Sequence, residues 1–487
     1  MAREEKFHFP SVSVSSQDSF SYTYTPRQRR GFGSGAYELR RCFMQLRRLY
    51  LRYFPPALRL EYVHSNGEVG TKAIDLPHLS DESNIALVAQ QLVDQEHLLT
   101  KATLPKLMEL LHRLVDKHLK YSTIQQGCTF RLHSVLRPHQ LPMTNMACSK
   151  SAKVVATSSY DKTIRLMRPF EAPKLSIPAS FQTKHCEQEV ATLTGHEGVV
   201  FSLAFNAPHA TRLISGSYDK TCRLWNVQTG SAVGVYRGHT GEVVSAVFAP
   251  GSASNTSFGS CSVDGSAIVW DLETETARLT LSGHSAEVAC LAFDSADTKL
   301  VATGSCDSTV RLWDTRYGGC FRCIEQHDAE ISSVAFDYRA NTLLSSSSDG
   351  TCKLWDARTG KCIYDWDDYQ GHEVTHAAYN ASGALVVSCS ANGSACIYDT
   401  VTGTKRCTLN GHQKAVNKVC LSMQGLQVLT ASTDGTARLW NAYSGECLQV
   451  LRGHDAEVFD CRFSYDGSVA LTASMDSSVR VWEREVD

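Results

Sequence analysis

The sequence predicts a mainly β protein: an eight-bladed β-propeller preceded by a small α+β N-terminal domain and a disordered N-terminal tail. One segment recurs in close variants, such as "ISGSYDKTCRLWNVQTG" at 214–230 and "VATGSCDSTVRLWDTRYG" at 301–318. In each variant an Asp is preceded by Ser or Thr at a distance of four and followed by an aromatic residue at a distance of six. The period of about 40–45 residues is typical of four-stranded propeller blades.

Eight repeats share these spacings. The Asp or its substitute stands at Asp161, Asp219, Asp264, Asp307, Asp349, Asn392, Asp434 and Asp476. The residue six positions later is Met167, Trp225, Trp270, Trp313, Trp355, Tyr398, Trp440 or Trp482. The residue four positions earlier is Thr157, Ser215, Ser260, Thr303, Ser345, Ser388, Thr430 or Thr472. An upstream His is present at His139, His196, His239, His284, His327, His372, His412 and His454.

We expect these four residue types to form a buried, hydrogen-bonded chain across each blade. A buried polar group without a partner costs about 1–3 kcal/mol, so the four should occur together. Ser, His and Asp also make up hydrolase triads, but eight copies indicate a structural role rather than eight active sites. The prediction is a non-enzyme without cofactor or metal. The most regular candidates are His196, Ser215, Asp219, Trp225, His284, Thr303, Asp307, Trp313, His454, Thr472, Asp476 and Trp482.

The ends of the repeat region predict how the ring closes. The last repeat, "SVRVWEREVD", stops after its third strand, and "TFRLHSVLRPH" at 129–139 precedes the first full repeat. We expect 129–136 to pair beside Val479–Glu483 and complete the last blade, because an unpaired edge invites aggregation. The propeller therefore spans 129–487. Blades one and six should be the least regular, and the insertion at 168–188 should emerge on the face opposite the Asp turns.

The N-terminal region divides in two. Residues 1–40 are rich in Ser, Tyr, Arg and Gly without apolar periodicity, which predicts a disordered tail. Residues 41–127 predict a small α+β domain, with a hairpin at Asn66-Gly67 and two amphipathic helices. The first helix carries Ile85, Val88, Ala89 and Leu92, and the second begins near Thr103.

Composition narrows the classes of function. The chain has 487 residues, a formal net charge of −2 and 43% hydrophobic residues. No basic excess favours nucleic-acid binding, and no apolar run favours membrane insertion, so we expect a soluble intracellular protein. The cysteines at repeat positions, such as Cys222, Cys352, Cys320, Cys362 and Cys447, are interpreted as small buried apolar side chains.

One surface stands out as a candidate partner site. Glutamates begin the innermost strand of five blades, three residues beyond the His or aligned with that position: Glu242, Glu287, Glu330, Glu373 and Glu457. Blades one, two and seven have Pro142, Val199 and Ala415 instead. Tyr160, Tyr218 and Met475, each just before its turn Asp or the equivalent, could add apolar contacts. This mouth of the ring is either a solvated rim or a docking site for a basic segment.

The repeats resemble the WD-repeat family, and the N-terminal domain makes the resemblance more specific. "LYLRYFPPALRLEYVHSNGEVGTKAIDL" at 49–76, the helices up to Leu119 and the eight blades together resemble the outer-dynein-arm assembly factors with WD repeats. The resemblance covers roughly 44–487, except 168–188. It implies a monomeric adaptor without catalysis or cofactor, located in the cytoplasm, at the ciliary or flagellar base and in the axoneme. It also implies two partners, the outer-arm dynein complex and a subunit of intraflagellar transport complex B.

Two other functions remain open at this point. Trp313-Asp314-Thr315-Arg316 and Trp355-Asp356-Ala357-Arg358 resemble the docking box of substrate receptors in cullin-type ubiquitin ligases. A centriolar or microtubule-associated scaffold is the third possibility.

Overall fold

The computed structural model describes residues 7–8, 45–52, 56–63, 69–76, 79, 83–96, 98–99, 103–125, 129–170, 189–207, 209–250, 256–295 and 298–485. The chain divides into two compact units, 1–121 and 122–487. Most of the predicted disordered tail and the interior of the 168–188 insertion lie outside the described residues. Phe7 and His8 form a two-residue strand in the first unit.

The first unit is a four-stranded antiparallel sheet with two helices. Its strands, in sheet order, are β1 (Phe7–His8), β2 (Gln45–Arg52), β3 (Ala57–Val63) and β4 (Val69–Asp75). The helices are α1 (Ile85–Gln95) and α2 (Leu104–Gln125). Strands β3 and β4 pair antiparallel, and the predicted turn at Asn66-Gly67 between them lies outside the described residues. Within the described ranges, no helix has the length and apolar character needed to cross a bilayer.

Leucines hold the first unit together. Leu58 and Leu60 of β3 pack with Leu107, Leu111 and Leu114 of α2 in one core. All five side chains are buried because the helical spacing and the strand alternation direct them to the same side. The two predicted helices of this unit are therefore confirmed.

The second unit is a ring of eight four-stranded antiparallel blades. Blades one to three contain β6 (Met143–Cys148), β7 (Val155–Ser159), β8 (Ile164–Met167), β9 (Glu189–Leu193); β10 (Val200–Phe205), β11 (Arg212–Ser217), β12 (Thr221–Asn226), β13 (Ala232–Arg237); and β14 (Val243–Phe248), β15 (Ser257–Ser262), β16 (Ser266–Asp271), β17 (Ala277–Ser282). Blades four to six contain β18 (Val288–Phe293), β19 (Leu300–Ser305), β20 (Val310–Asp314), β21 (Cys320–Ile324); β22 (Ile331–Phe336), β23 (Thr342–Ser347), β24 (Cys352–Asp356), β25 (Cys362–Trp366); and β26 (Val374–Tyr379), β27 (Leu385–Ser390), β28 (Ser394–Asp399), β29 (Lys405–Asn410). Blade seven contains β30 (Val416–Leu421), β31 (Gln427–Ser432), β32 (Ala437–Asn441) and β33 (Cys447–Leu451). The mainly β fold class is as predicted.

Apolar packing between adjacent blades forms the core of the ring. Trp270 of blade three, for example, packs in one cluster with Ile214, Leu224 and Tyr236 of blade two. The second strand of each blade is buried on both of its faces, as in the fully buried β27. A blade cannot bury both faces alone, so each one depends on its neighbours.

Blade eight is assembled from both ends of the repeat region. It contains β34 (Val458–Phe463), β35 (Val469–Ser474), β36 (Val479–Arg484) and β5 (Phe130–Leu136), and β36 pairs antiparallel with β5. The buried Phe130 also exchanges two hydrogen bonds with the side chain of Gln449 in blade seven, at 2.7 and 2.8 Å. The predicted closure is confirmed.

The cysteines at the repeat junctions correct one expectation. Cys222 and Cys352 are buried, as predicted, but Cys320 and Cys447 are exposed and Cys362 is only partly buried. These three begin the outermost strands β21, β33 and β25, which have no further strand beside them. The residue at the start of an outermost strand is therefore at least partly exposed to solvent, although it recurs at the same position of the repeat.

Removal of β5 tests this closure. A chain of 141–487 should melt well below a chain of 125–487, because blade eight then loses its outer strand and the hydrogen bonds to Gln449. Circular dichroism melts of the two proteins provide the comparison. Equal melting temperatures would show that β5 is dispensable for the ring.

Candidate functional site

A repeated hydrogen-bond network fixes one face of the ring. In blade four, His284 Nδ1 donates to Asp307 Oδ2 at 2.9 Å, and His284 Nε2 lies 2.8 Å from Thr303 Oγ1. The indole Nε1 of Trp313 donates to the same hydroxyl oxygen at 2.8 Å. The other carboxylate oxygen, Oδ1, accepts from the backbone N–H and the hydroxyl of Thr309. The imidazole side chain is buried, so the network joins the turn to the strand behind it.

The same contacts recur in the other predicted blades. In blade two, His196 contacts Asp219 and Ser215 at 2.7 Å each, and Trp225 donates to Ser215 at 2.9 Å. In blade eight, His454 contacts Asp476 at 3.2 Å and Thr472 at 2.9 Å, and Trp482 donates to Thr472 at 3.0 Å. Blades three, five and seven repeat this arrangement through Trp270, Trp355 and Trp440. The structure thus brings together all twelve residues of the predicted cluster, blade by blade.

Blade six departs from the sequence-based assignment. His372 is exposed and does not enter the network, so its assignment as the equivalent His is wrong. The hydroxyl of the buried Tyr369 lies 2.7 Å from Ser388 Oγ instead and accepts from Cys396 N at 3.1 Å. A phenol reaches farther than an imidazole and satisfies the hydroxyl without a carboxylate partner. His372 precedes Asn392 by 20 residues, whereas the commonest distance between His and turn residue in the other blades is 22, and this difference is the signal of the replacement in the sequence.

Hydrogen bonding sets the protonation of the network. Burial would raise the pKa of Asp307, but hydrogen bonds from Thr309, His284 and Ser285 outweigh it and hold the pKa below the usual 3.8. Burial lowers the pKa of His284 below 6.5, against the opposing effect of Asp307. The neutral imidazole therefore carries its proton on Nδ1 toward the carboxylate and accepts the Thr303 hydroxyl at Nε2. Both nitrogens are engaged, so the histidine acts as a structural bridge.

The five glutamates lie on the face that this network fixes. The backbone carbonyl of Glu287 accepts the N–H of Cys306, the residue just before Asp307. The carbonyls of Glu242, Glu330, Glu373 and Glu457 accept the equivalent N–H groups, as do those of Pro142, Val199 and Ala415. Glu373 is therefore equivalent to the other four, although blade six lacks the histidine. We call the five glutamate side chains the acidic mouth.

The acidic mouth is unevenly distributed around the ring. Four of its carboxylates belong to consecutive blades, three to six. The exposed lysines of this face, Lys162, Lys220 and Lys414, belong to blades one, two and seven. In the described part of the chain, no acidic-mouth carboxylate forms an ion pair with Lys or Arg. Burial and the carboxylates of Glu330 and Glu287 raise the pKa of the Cys306 thiol above its usual 9.0.

Aromatic side chains flank this acidic arc. Tyr218 stacks on Phe201, with ring centroids 4.6 Å apart and an interplanar angle of 4°. Tyr160 meets the same Phe201 edge-on at 6.5 Å. Tyr160, Tyr218 and Met475 remain 45%, 42% and 39% exposed. Sequence reasoning missed Phe201, which stands at the second position of β10, where blade eight has Phe459 and the remaining blades have non-aromatic residues.

Two carboxylates of the acidic mouth affect the ionisation of the Tyr218 phenol. Burial and then Tyr160, Glu242 and Glu287 raise the pKa of the Tyr218 phenol. Aromatic faces beside negative charge suit a cationic side chain, which gains from both the ring quadrupole and the carboxylate. This combination makes the mouth a candidate site for Arg or Lys side chains of a partner.

Two other candidate features lie elsewhere. In the first Trp-Asp-x-Arg box, Arg316 is bound by Asp314 of the same box, at 2.6 Å from Nη2 to Oδ2. In the second box, the Arg358 backbone N–H donates to Asp356. Among the described residues, no cluster of His, Cys, Asp or Glu has the arrangement of a metal site.

Comparison with known proteins agrees with this architecture. The family model described as the IFT122 first beta-propeller matches residues 180–440, and the WD domain, G-beta repeat model matches 130–166 and 445–483. A solved structure, that of the computationally designed Ika8 protein, is 27% identical and covers 72% of this chain and 99% of its own, with a TM-score of 0.61.

Curated relatives are similar over a shorter stretch. Dynein assembly factor with WD repeat domains 1 from Homo sapiens is 38% identical over 170 residues, 35% of this chain and 36% of the relative. The Xenopus laevis protein of the same name is 38% identical over 166 residues, 34% of this chain and 35% of the relative. A guanine nucleotide-binding protein subunit beta from Oryza sativa subsp. japonica is 30% identical over 249 residues, 48% of this chain and 54% of the relative. The aligned stretch spans about a third of the length of the dynein assembly factors, and the resemblance to them is confirmed.

Substitution of the turn residue should distinguish blade four from blade six. Asp307→Ala leaves His284 and several N–H groups without an acceptor and should cost about 2–4 kcal/mol of unfolding free energy. Asn392→Ala should cost less, because within the described residues the exposed Asn392 side chain accepts hydrogen bonds only from Ser394. Denaturant melts of both variants measure the difference. Equal losses would contradict the role given to the network.

Acidification should weaken the ring in two stages. Burial lowers the pKa of His239, His284, His327 and His412 in the folded state, so the unfolded chain binds more protons below about pH 6.5. Stability should be complete above that pH and fall as the pH decreases. A second loss of stability should begin below about pH 3.8. There the turn Asp side chains, such as Asp307, become protonated in the unfolded chain before they do so in the folded chain. A melting temperature that stays constant from pH 7.5 to 5 would contradict this assignment.

Proposed function

The chain belongs to the WD-repeat β-propeller family, and from this premise we propose that it is an adaptor that links preassembled outer-arm dynein to the intraflagellar transport machinery. It acts in dynein arm assembly without catalysis. Its partners are the outer-arm dynein complex and a subunit of intraflagellar transport complex B. Its place of action is the cytoplasm, the ciliary or flagellar base and the axoneme. The names of the dynein assembly factor relatives support the proposal that the cargo is dynein.

The acidic mouth is the observation that carries the proposal. An adaptor needs an exposed surface that recognises a partner without transforming it. The mouth provides carboxylates without ion pairs in the described chain and a stacked aromatic group beside them. Its backbone is fixed by the buried networks, so binding would cost little loop ordering. We infer that it holds a basic or Arg-rich segment of the dynein cargo or of the transport subunit.

The chemistry of the histidines supports a non-catalytic role. Each network imidazole is buried, with its two nitrogens bound to a carboxylate and a hydroxyl. The hydroxyl is shared with an indole N–H, so it does not face solvent as a nucleophile. A scaffold needs this arrangement, whereas a hydrolase needs an accessible hydroxyl beside a free base.

Charge reversal at the mouth tests the proposal. Glu287→Lys, Glu330→Lys and Glu457→Lys in one chain should weaken co-immunoprecipitation of outer-arm dynein or of complex B subunits from ciliated cells. The melting temperature should not fall, because these side chains are exposed. Binding by the unaltered protein should also weaken as salt rises, since exposed charges are screened.

A matched control carries the same change in charge at Glu273, Glu275 and Glu446, which are also exposed but lie in the turns at the other end of the strands. It should bind both partners normally. If the folded mouth variant retains both partners as well as the control does, the mouth is not the docking site.

A further inference from the structure

A second charged surface lies where the third strands of blades four and five turn into the fourth. Six exposed cations gather in these turns, in the adjoining turns between the first and second strands, and at the start of β21. We call them the basic surface: Lys299, Arg316, Arg322, Arg339, Arg358 and Lys361. The exposed aromatic ring of Tyr317 lies beside them, with the Arg316 guanidinium 5.5 Å from its centroid.

The basic surface and the acidic mouth lie at opposite ends of the same strands. The backbone N–H of Thr315 donates to the Lys299 carbonyl at 2.8 Å, which joins the two turns of blade four. The Asp turns, with Glu287 and Glu330 next to them, lie at the other end of β19 and β20. Strands of five or six residues separate the two ends by about 17–20 Å. One occupant of each surface can therefore be bound at the same time.

Three of the cations meet at the junction of the two blades. Arg322 of β21 packs under the turn of blade five, where a Cβ added to Gly360 would lie 3.4 Å from Arg322 Cδ. Arg358 and Lys361 flank this glycine in the sequence. Within the described residues, none of the three side chains has a carboxylate partner. Their charges are thus concentrated and uncompensated.

Three described carboxylates of this region are engaged by their own turns. Asp314 is held by Arg316 through two hydrogen bonds, at 3.0 and 2.6 Å. Asp356 accepts the backbone N–H groups of Arg358 and Thr359. The buried Asp294 accepts the N–H of Thr298 and those that follow it. These three carboxylates therefore face their own turns, and none of them neutralises Arg322, Arg358 or Lys361.

We propose that the basic surface binds an acidic peptide segment of a second protein partner while the acidic mouth is occupied. An acidic peptide suits the site because guanidinium groups pair with carboxylates through two hydrogen bonds. Exposed apolar side chains nearby, Phe321 and Ile363, match peptide side chains rather than a phosphate backbone. The formal net charge of −2 also opposes general attraction to nucleic acid. The adaptor role above gives this surface its use, but its binding chemistry does not depend on that role.

Two labelled probes test the proposal on the full chain. Fluorescence anisotropy of an octa-glutamate peptide should show saturable binding that weakens with salt. The variant Arg322→Glu, Arg358→Glu, Lys361→Glu should lower this affinity about tenfold or more. A control with the same change in charge at Lys153, Arg237 and Arg452, exposed residues of blades one, two and seven, should lower it less than about twofold. Octa-arginine, measured in separate samples because the two peptides bind each other, should lose affinity in the mouth variant Glu287→Lys, Glu330→Lys, Glu457→Lys.

Each alternative outcome overturns the proposal. Absence of octa-glutamate binding to the unaltered protein, or equal losses in the two triple variants, would show that the basic surface is no site. Tighter binding of a single-stranded oligonucleotide than of the peptide would assign the surface to nucleic acid. Equal octa-arginine binding by the unaltered protein and the mouth variant, or loss of octa-glutamate binding in the mouth variant, would contradict separate surfaces. The mouth variant Glu287→Lys, Glu330→Lys, Glu457→Lys should still bind octa-glutamate, so failure of the proposed function remains distinguishable.

Discussion

The hydrogen bond between a buried imidazole and the carboxylate of the turn Asp is the interaction on which the rest of the ring depends. It joins the loop that enters a blade to the turn between the second and third strands, as in His284 and Asp307. The shared hydroxyl of Thr303 then ties that contact to the indole of Trp313. Removal of any one member leaves buried donors or acceptors without partners, which is why the four residue types recur together.

This constraint also explains how a rigid surface arises from loops. The entering loop is fixed at its His, and its last carbonyl is bound by the turn, as between Glu287 and Cys306. The side chain of Glu287 can then project to solvent without a structural duty. The turns at the other end of the strands have their own acceptors, such as Asp314 and Asp356. The two ends can therefore evolve opposite charge while the strands between them stay the same.

The repeat spacings were sufficient to predict the blades, the closure by 129–136 and the four-residue network in six blades. In blade one, His139 contacts Asp161 and Thr157 without an indole, because Met167 replaces the Trp. The spacings failed for His372, because the pattern specifies a residue type while the hydroxyl of Ser388 requires only a partner within reach, which Tyr369 provides. The predicted burial of Cys320 was wrong for a related reason. A residue can recur at the same position of every repeat and still face solvent, so its recurrence does not indicate burial. Neither the Phe201 stack nor the junction of Arg322 with Arg358 and Lys361 is visible in the sequence. The stack depends on how Phe201 packs against the turn of its own blade, and the junction depends on a contact between blades four and five.

Hydrogen exchange of the tryptophan indoles tests the central claim most directly. Six indoles donate to the network hydroxyls, one in each of blades two, three, four, five, seven and eight. They are Trp225, Trp270, Trp313, Trp355, Trp440 and Trp482. Trp366 donates instead to the carbonyl of Gly403 and serves as the internal reference. NMR of protein labelled with ¹⁵N-tryptophan should show the six exchanging together and only on global unfolding, with Trp366 exchanging faster through local opening. Exchange of the six at separate rates, or as fast as Trp366, would contradict the account.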